Sequence, residues 1–281
     1  MIPASAFSKP LATLGLVLSL SGGMASGASA QDRDLVLYGA GSLRESMAEI
    51  ANLFSAGHKI PVKTQFGASG RMRERIEAGE AVDVFTSADI GHPRKLVADG
   101  RATTMAMFAR NTLCLLVPER MGNLQSADAL GTLLKEDVKV GVSPPKIDPL
   151  GDYTVRLIDV AEQRRPGARA SIEKRTTILD NPPGAPAAKS GDYVLDALNA
   201  GRVDLAVVYC SGQRRYAKLS TAVRMVAFPA ELEVGPEYGL AVVSNTPQAM
   251  QLALAILSPQ GQAVLASYGF KPVGLPQPAK P

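Results

Sequence analysis

Short apolar runs alternate with segments of helical periodicity in the first half of the chain. Apolar residues at positions 47, 50, 51 and 54 recur at the spacing of one helix face, which predicts a helix over residues 44–56. The same two patterns predict strands at 34–38, 60–66 and 81–85 and helices at 70–78 and 89–97. Alternation of strand and helix favours a parallel sheet with helices on its faces.

The second half repeats this alternation, and its last elements lack partners of their own. A strand at 110–117 marks the crossing into a second lobe, and the Pro/Gly/Ala-rich segment 181–191 must be a loop. The other predicted elements are helices at 127–134, 151–164, 168–175 and 193–200, strands at 138–142, 203–209 and 238–243, and closing helices at 247–256 and 259–268. Because the final strand and helices fit best beside the first lobe, we expect that lobe to be discontinuous.

These elements predict an α/β fold of two lobes, each built on a mainly parallel sheet flanked by helices. We place the first lobe at residues 31–111 plus 236–281 and the second lobe at residues 112–235. The two chain crossings would form a hinge between the lobes. We therefore expect a ligand to lie in the cleft between them.

The first thirty residues have the pattern of a cleavable export signal. Lys9 precedes an apolar run at residues 11–20, and residues 28–30 (Ala-Ser-Ala) have the small side chains of a cleavage site. The apolar run is shorter than the roughly 20 residues of a membrane span. We expect a signal peptide at 1–30 and an exported, soluble mature chain of 251 residues (281 − 30) that starts at Gln31.

The net charge restricts the class of ligand, whereas the two cysteines leave their own pairing open. Removal of Lys9 lowers the formal net charge from +4 to +3, which suits an anionic ligand but is far too weak to indicate nucleic acid. Cys114 and Cys210 both lie in apolar, strand-like runs, and either a disulfide or two free thiols fit the sequence. Two cysteines and two histidines, scattered along the chain, form no recognisable zinc motif.

Two small-residue turns each join a predicted strand to a predicted helix. One contains Gly41 and Ser42 in the sequence Tyr-Gly-Ala-Gly-Ser-Leu, and the other contains Ser69 in Phe-Gly-Ala-Ser-Gly-Arg. Backbone N–H groups at a helix start, together with a hydroxyl, form a ready anion site. The alternative is that Ser42 and Ser69 simply cap their own helices. Because the two turns follow successive strands, we favour a shared oxyanion pocket.

Other segments offer further donors to the same pocket. A proline-rich connection before the helix at 151–164 would present the amide of Leu150, unless it serves only as a rigid link. Ser190 and Gly191 would cap the next helix and offer amides, and Tyr209 ends a strand where its hydroxyl can reach a cleft. Arg71 lies close to the second turn and could add charge.

Motifs of catalysis are absent from the sequence. It contains no G-x-S-x-G elbow, no phosphate-binding loop of the G-x-x-x-x-G-K type and no H-E-x-x-H. An exported enzyme that used the cleft would need a general base there. Asp148, Asp152 or a histidine are the candidates for that base.

At these same residues the chain resembles the periplasmic molybdate-binding proteins of ABC importers, over nearly the whole mature chain. The similarity is carried by the two turns, by Ala-Val-Asp-Val-Phe-Thr-Ser-Ala-Asp at 81–89, by Pro-Leu-Gly at 149–151, by Val-Val-Tyr at 207–209 and by Tyr-Gly-Phe at 268–270. The run at 81–89 is the most specific of these. The resemblance implies a type II periplasmic binding fold, no cofactor, and a membrane permease as partner of a monomeric protein.

The resemblance also implies a role for each candidate residue. Ser42 and Ser69 would donate hydroxyl and amide groups to the oxyanion, and Tyr209 would donate its phenol. Leu150 and Gly191 would each offer a backbone amide. The metal would be bound within its oxyanion, with no side chain as a direct ligand.

Several departures from the family pattern indicate a divergent subgroup. Leu150 is larger than the usual small residue, Arg71 replaces a small polar residue, Gly70 replaces a serine, and Cys210 directly follows the tyrosine. We expect capture of molybdate or tungstate and no enzymatic activity. The alternatives are the same fold with another anion, such as sulfate or a small carboxylate, which Arg71 favours, and an exported enzyme.

Overall fold

A computed structural model describes Met1, residues 33–182 and residues 184–273. The predicted signal peptide at 1–30 lies outside the described residues, apart from Met1. Within the described ranges, no helix is both long enough and apolar enough to cross a membrane.

The described residues form eleven strands and ten α-helices. The strands are β1 (Leu35–Ala40), β2 (Val62–Gly67), β3 (Val84–Ser87), β4 (Thr104–Arg110), β5 (Leu113–Pro118), β6 (Val140–Val142), β7 (Thr176–Ile178), β8 (Leu205–Tyr209), β9 (Val223–Ala227), β10 (Glu237–Val242) and β11 (Lys271–Pro272). The helices are α1 (Arg44–His58), α2 (Ser69–Glu77), α3 (Gly91–Ala98), α4 (Ala129–Leu133), α5 (Pro149–Arg164), α6 (Ala168–Glu173), α7 (Tyr193–Asn199), α8 (Gln213–Leu219), α9 (Pro247–Leu257) and α10 (Pro259–Ser267).

The strands form two sheets, in the orders β11-β4-β10-β3-β1-β2 and β7-β6-β8-β5-β9. The closing strand β10 pairs with β3 and β4, so the chain does return to the first sheet. The predicted two-lobed α/β fold is confirmed, with one correction. The sheets are mixed rather than mainly parallel, because β10 is antiparallel to both neighbours and β5 is antiparallel to β8 and β9.

The antiparallel strands have a simple topological cause. The chain leaves the first sheet at the carboxyl end of β4, and β5 begins opposite the carboxyl end of β8, with Leu113 paired to Tyr209. On its return, β10 likewise begins opposite the end of β4, with Glu237 paired to Arg110. A strand that enters a sheet at the edge where the neighbouring strands end must run against them.

Most predicted elements are present, and the omissions are short or half-exposed. The strands β4, β7, β9 and β11 and the helix α8 were not predicted from the sequence. β7 has three residues, and the burial along β4 and β9 follows no clear alternation, so period-2 patterning could not reveal them. The helix α5 starts at residue 149 rather than 151 because Pro149 occupies its first turn after an Asp148 N-cap.

One apolar core extends through both sheets. The same cluster of buried side chains includes Leu37 of β1, Leu115 of β5 and Tyr238 of β10. Tyr238 is completely buried, and its ring contacts those of Phe108 and Phe270 edge-on. This continuous packing positions the strand ends from which the candidate site is built.

Cys114 and Cys210 form a disulfide, which resolves the choice that the sequence left open. Their Cα atoms are 5.1 Å apart, and the bridge joins residues that are 96 positions apart in the chain. It links β5 to the residue that directly follows β8. The bridge therefore holds the chain beside Tyr209, the last residue of β8.

Candidate functional site

A cavity of about 410 Å³ opens where strands of both sheets end. Its walls are the segments that follow β1, β2, β6, β7 and β8, and ligands of α/β proteins commonly bind outside such carboxyl ends. The predicted site residues that it brings together are Gly41, Ser42, Ser69, Arg71, Leu150, Gly191 and Tyr209. Ser190 does not line it.

Ser42 is held in the wall of the cavity by a hydrogen bond with Tyr238. It lies in a 3-10 turn between β1 and α1, with its Oγ 3.0 Å from Tyr238 Oη. Asn111 Nδ2 donates to that phenol oxygen at 3.1 Å. Either oxygen of the Ser42–Tyr238 pair can be the donor. When Tyr238 donates, the hydroxyl proton of Ser42 is left to donate into the cavity.

Ser69 has an equivalent arrangement with a backbone donor. It is the first residue of α2 and is completely buried, and its Oγ accepts the amide of Ala88 at 3.1 Å. Its hydroxyl proton is therefore also available to an acceptor in the cavity. Neither serine caps a helix, because the N-cap residues are Leu43 for α1 and Ala68 for α2. No described side chain caps either helix.

Tyr209 presents a buried hydroxyl with no partner. Its side chain is 6% exposed, and Oη makes no hydrogen bond to any residue that the structure describes. The nearby Tyr238 hydroxyl is engaged with Ser42 and Asn111. Burial raises the pKa of Tyr209 well above its ordinary value, so the phenol stays protonated. An unsatisfied buried hydroxyl costs about 1–3 kcal/mol, which an acceptor in the cavity would recover.

The start of α5 differs from the predicted arrangement. Asp148 is its N-cap, and Asp148 Oδ1 accepts the amide of Leu150 at 3.0 Å. The amide of Gly151 donates to the backbone oxygen of Asp148 at 2.9 Å. Neither amide is therefore free in this structure. Burial raises the pKa of Asp148 above its ordinary value, and the Leu150 amide opposes that rise.

The segment before α7 also differs from the prediction. Asp192, rather than Ser190 or Gly191, caps the helix, because its Oδ1 accepts the amides of residues 194 and 195. The Ser190 hydroxyl donates to the backbone oxygen of Asp192 at 2.8 Å, which keeps it within its own turn. Gly191 has a φ of 80°, a conformation that favours glycine, and its amide donates to Ala188.

Arg71 lines the cavity but is already paired. Its two terminal nitrogens donate to the carboxylate of Asp180 at 2.9 and 2.6 Å, a bidentate ion pair between α2 and the segment after β7. The hydrogen bond with Arg71 lowers the pKa of Asp180 below its ordinary value. The positive charge that favoured a carboxylate ligand is therefore largely neutralised within the protein.

Two further arginines line the cavity, Arg44 on α1 and Arg215 on α8. Arg215 forms an ion pair with Asp192 at 2.6 Å. Arg44 pairs with no carboxylate of the described residues, and its guanidinium lies 5.3 Å from the centre of the Phe66 ring. Burial, and to a lesser degree the charge of Arg215, lowers the pKa of Arg44. An anion in the cavity would reduce the repulsion between the guanidinium groups of Arg44 and Arg215.

The arrangement suits binding better than catalysis. The cavity brings hydroxyls, helix starts and one unpaired arginine to a single space, which favours a small anion. Neither histidine lines it, and the carboxylate of Asp148 is occupied as a helix cap. In the part of the chain that the structure describes, no group of three or more His, Cys, Asp or Glu side chains could hold a metal ion.

The sequence suggested Asp148 only as a possible base of an enzyme, and it did not indicate Asp192, Arg44 or Arg215 as cavity residues. An Asp directly before a helix start is a readable N-cap signal, so both aspartates could have been placed. The two arginines carry no such signal, because a charged residue near a helix start is most often solvated. Only the tertiary structure brings them to the same space.

Comparison with known proteins identifies relatives along almost the entire described chain. The model of the bacterial extracellular solute-binding protein family matches residues 35–271. A Pasteurella multocida protein of unassigned function is 30% identical over 238 residues, which is 84% of this chain and 98% of that protein. The molybdate-binding protein ModA of Mycobacterium tuberculosis is 27% identical over 244 residues, 85% of this chain and 84% of that protein.

Solved structures show the same fold at lower identity. The sulfate-binding protein SubI of Mycobacterium tuberculosis superposes with a TM-score of 0.70 at 17% identity, covering 85% of this chain and 87% of that one. At this identity the likeness shows the fold and carries no ligand across.

Proposed function

Because the chain belongs to the bacterial extracellular solute-binding protein family, we propose that it captures molybdate or tungstate as a tetrahedral oxyanion and delivers it to the membrane permease of an ABC importer. The family membership confirms the type II two-lobed fold and the resemblance to molybdate-binding proteins. This family consists of transport proteins, and the proposal includes no catalytic residue and no cofactor.

The unpaired hydroxyl of Tyr209 is the observation that best supports the proposal. It is buried in the same cavity as the hydroxyls of Ser42 and Ser69, and the oxygen of Ser69 already accepts the amide of Ala88. Three O–H groups that can donate into one cavity fit a ligand that only accepts. A tetrahedral dianion at neutral pH is such a ligand, and it can be held by neutral dipoles and helix starts.

We propose that Ser42, Ser69 and Tyr209 hold the anion, with the backbone of Gly41 and Gly191 forming the walls beside them. The amide of Leu150 donates to the anion only if the anion displaces the carboxylate of Asp148, which accepts that amide in this structure. We also keep the predicted lobes, residues 31–111 plus 236–281 and 112–235, as the bodies that close on the anion. Asn111 lies at the crossing and donates to Tyr238 of the first sheet and Ser211 at the end of the second.

Titration of the mature protein tests this function. We expect molybdate and tungstate to raise the thermal midpoint and to bind with micromolar or tighter affinity in calorimetry. Replacement of both serines by alanine should weaken binding on the order of 100-fold or more, since each hydrogen bond to a charged group contributes about 1.5–3 kcal/mol. Ser46→Ala is the matched control, because Ser46 is a buried serine of α1 outside the cavity. No response to either metal oxyanion would contradict the proposal.

A second candidate is the same fold with sulfate or a small carboxylate. Arg44 supports it, because an unpaired guanidinium in the cavity is a carboxylate partner, whereas Arg71 is held by Asp180. Sulfate shares the charge and shape of molybdate, so the same donors would serve it. The titration therefore includes sulfate, phosphate and simple carboxylates, and Arg44→Gln should weaken carboxylates far more than oxyanions.

The place of action follows from the predicted signal peptide and the family. We propose that the chain is exported and works in the periplasm as a monomer. Secretion of the full-length chain, with a mature N-terminus at Gln31 by terminal sequencing, would support this. Retention in the cytoplasm would contradict it.

A further inference from the structure

Asp148 places a carboxylate in a cavity whose other polar groups fit an anion. It lines the cavity directly beside Leu150. Its negative charge contributes to the raised pKa values of three tyrosines that surround the same space, which are Tyr193 of α7, Tyr209 of β8 and Tyr238 of β10. Asp148 lines the same cavity as Ser42, Ser69 and Tyr209, where we place the anion. Of its two carboxylate oxygens, Oδ1 accepts the amide of Leu150.

A carboxylate and an unprotonated oxyanion are poor neighbours. Each has oxygens that only accept hydrogen bonds, so the two repel when both are fully ionised. One proton between the carboxylate and the anion turns their repulsion into an attraction, because an O–H···O⁻ hydrogen bond is short and strong. Either the anion or the carboxyl group of Asp148 can carry this proton.

We propose, on the premise that the cavity binds an oxyanion, that Asp148 and the bound anion share one proton. Hydrogen phosphate brings this proton with it. Molybdate, tungstate and sulfate bring none at neutral pH, so the protein takes one up at Asp148 when they bind. Asp148 thus determines which protonation state of a tetrahedral anion the site prefers.

The surroundings of Asp148 favour a proton there. Burial raises its pKa, and the nearby carboxylates of Asp152 and Asp180 act in the same direction. The amide of Leu150 and the hydroxyl of Ser143 act in the opposite direction. The other charged or titratable groups that face it are Arg71 on α2, Tyr193 on α7, Tyr209 on β8 and Tyr238 on β10. The charge of Arg71 is shared with the carboxylate of Asp180, to which it donates two hydrogen bonds.

The alternative is that Asp148 serves only as the N-cap of α5. Asparagine separates the two roles, because it caps a helix as well as aspartate does but cannot take up a proton. Asp152→Asn is the matched control, since Asp152 lies on the same helix, accepts the amide of Lys146 and does not line the cavity.

The experiment is a proton inventory by calorimetry. Binding enthalpies of molybdate, sulfate and phosphate are measured in buffers of different ionisation enthalpy, for the wild-type protein, Asp148→Asn and Asp152→Asn. For wild type and Asp152→Asn we expect uptake of up to one proton with molybdate or sulfate. Their affinity should fall by up to tenfold per pH unit between pH 6 and 8. For Asp148→Asn we expect no uptake, a flat profile, and tighter molybdate or sulfate binding at pH 8.

Phosphate gives the opposite expectation. At pH 8 hydrogen phosphate should bind wild type without proton uptake, and Asp148→Asn should weaken it, because the side-chain acceptor for its proton is replaced. Proton uptake that persists in Asp148→Asn, or wild-type binding of molybdate and sulfate without uptake, would overturn the inference and leave the proposed function intact. Failure of wild type to bind any of these anions would overturn both. If Asp148→Asn does not fold, the presence or absence of proton uptake by the wild-type protein decides whether the inference holds.

Discussion

At the scale of single residues, the donors of the cavity are prepared before any ligand arrives. Ser69 accepts the amide of Ala88, which directs its own proton outward, and Ser42 is held by its hydrogen bond with Tyr238. Tyr209 has no such partner and carries the cost of an unsatisfied buried group. This difference predicts different consequences when each hydroxyl is removed.

Tyr209→Phe should weaken anion binding by roughly tenfold to 100-fold, since a hydrogen bond to a charged ligand contributes about 1.5–3 kcal/mol. The free protein should keep or gain stability, because the change removes an unpaired hydroxyl. Thermal melts without ligand and calorimetry with ligand measure the two effects separately. Tyr38→Phe is the control, since that hydroxyl bonds to Glu80 and Arg75 away from the cavity, so its loss should lower stability and leave affinity unchanged. Destabilisation by Tyr209→Phe would contradict the assignment.

A cluster at the edge of the first sheet predicts a pH dependence of stability. Arg75 donates to the carboxylate of Glu80 at 2.8 and 2.6 Å, and the phenol of Tyr38 also donates to it. These bonds lower the pKa of Glu80 to about 2. A carboxylate with a lowered pKa stabilises the fold above its unfolded-state pKa, and this contribution is lost as the pH falls towards 2.

Glu80→Gln should therefore reduce stability at pH 7 by a modest amount, because the pair is exposed to solvent and screened. The difference from wild type should shrink as the pH is lowered from 5 to 2. Denaturant midpoints of both proteins across this range provide the measurement. A difference that stays constant over the range would contradict the role given to the Glu80 charge.

At the scale of elements, the four helices α1, α2, α5 and α7, whose starts border the cavity, differ in their caps. The helices α1 and α2, which follow strands of the first sheet, have no side-chain cap among the described residues. The helices α5 and α7, which follow strands of the second sheet, are capped by Asp148 and Asp192. The caps at α5 and α7 already satisfy amides that a ligand would otherwise find free.

The start of α5 also depends on a close backbone contact at Gly151. A Cβ there would lie 2.6 Å from backbone atoms of Ser143, Pro144 and Pro145, and backbone atoms cannot move aside. Gly151→Ala should cost about 1–3 kcal/mol of stability and weaken anion binding by shifting the segment that carries Asp148. Gly131→Ala is the matched control in α4, where a Cβ meets nothing within 4 Å and should stabilise by about 0.5–1 kcal/mol. Urea denaturation and calorimetry report both quantities.

At the scale of the whole molecule, contacts join the two walls of the cavity. Arg71 pairs with Asp180, and the amide of Gly70 donates to the oxygen of Ile147 at 3.0 Å. Tyr153 Oη also donates to Asp89, at 2.9 Å. All three bonds connect segments of different sheets. If the proposed lobes open, these bonds must break.

The disulfide constrains the second sheet as a whole. It closes a loop of 96 positions between Cys114 and Cys210. Replacing both cysteines by serine should lower the free energy of unfolding by about 2–4 kcal/mol, since the unfolded chain regains entropy. Reduction of the wild-type protein should produce a similar loss, and the serine variant should not respond to reductant. Denaturant curves with and without dithiothreitol measure this, and equal stability of all forms would contradict it.

The sequence by itself determined the order of the elements and the residues at the main turns. Strand-to-helix turns built from Gly, Ala and Ser have few alternatives, so Ser42 and Ser69 could be singled out without coordinates. Tyr209 could be placed at a strand end by its apolar run, and the return of the chain to the first sheet could be expected from closing elements without other partners. These features depend on local pattern, which a single chain displays directly.

The tertiary structure alone decided which groups meet in the cavity and which are already engaged. The direction of β5 and β10, the pairing of Arg71 with Asp180, and the capture of the Leu150 amide by Asp148 all depend on residues distant in the chain or on side-chain geometry. The disulfide likewise could not be predicted without the distance between Cys114 and Cys210. Hydrogen bonds and ion pairs are satisfied by the nearest partner in space, and sequence separation does not contain that distance.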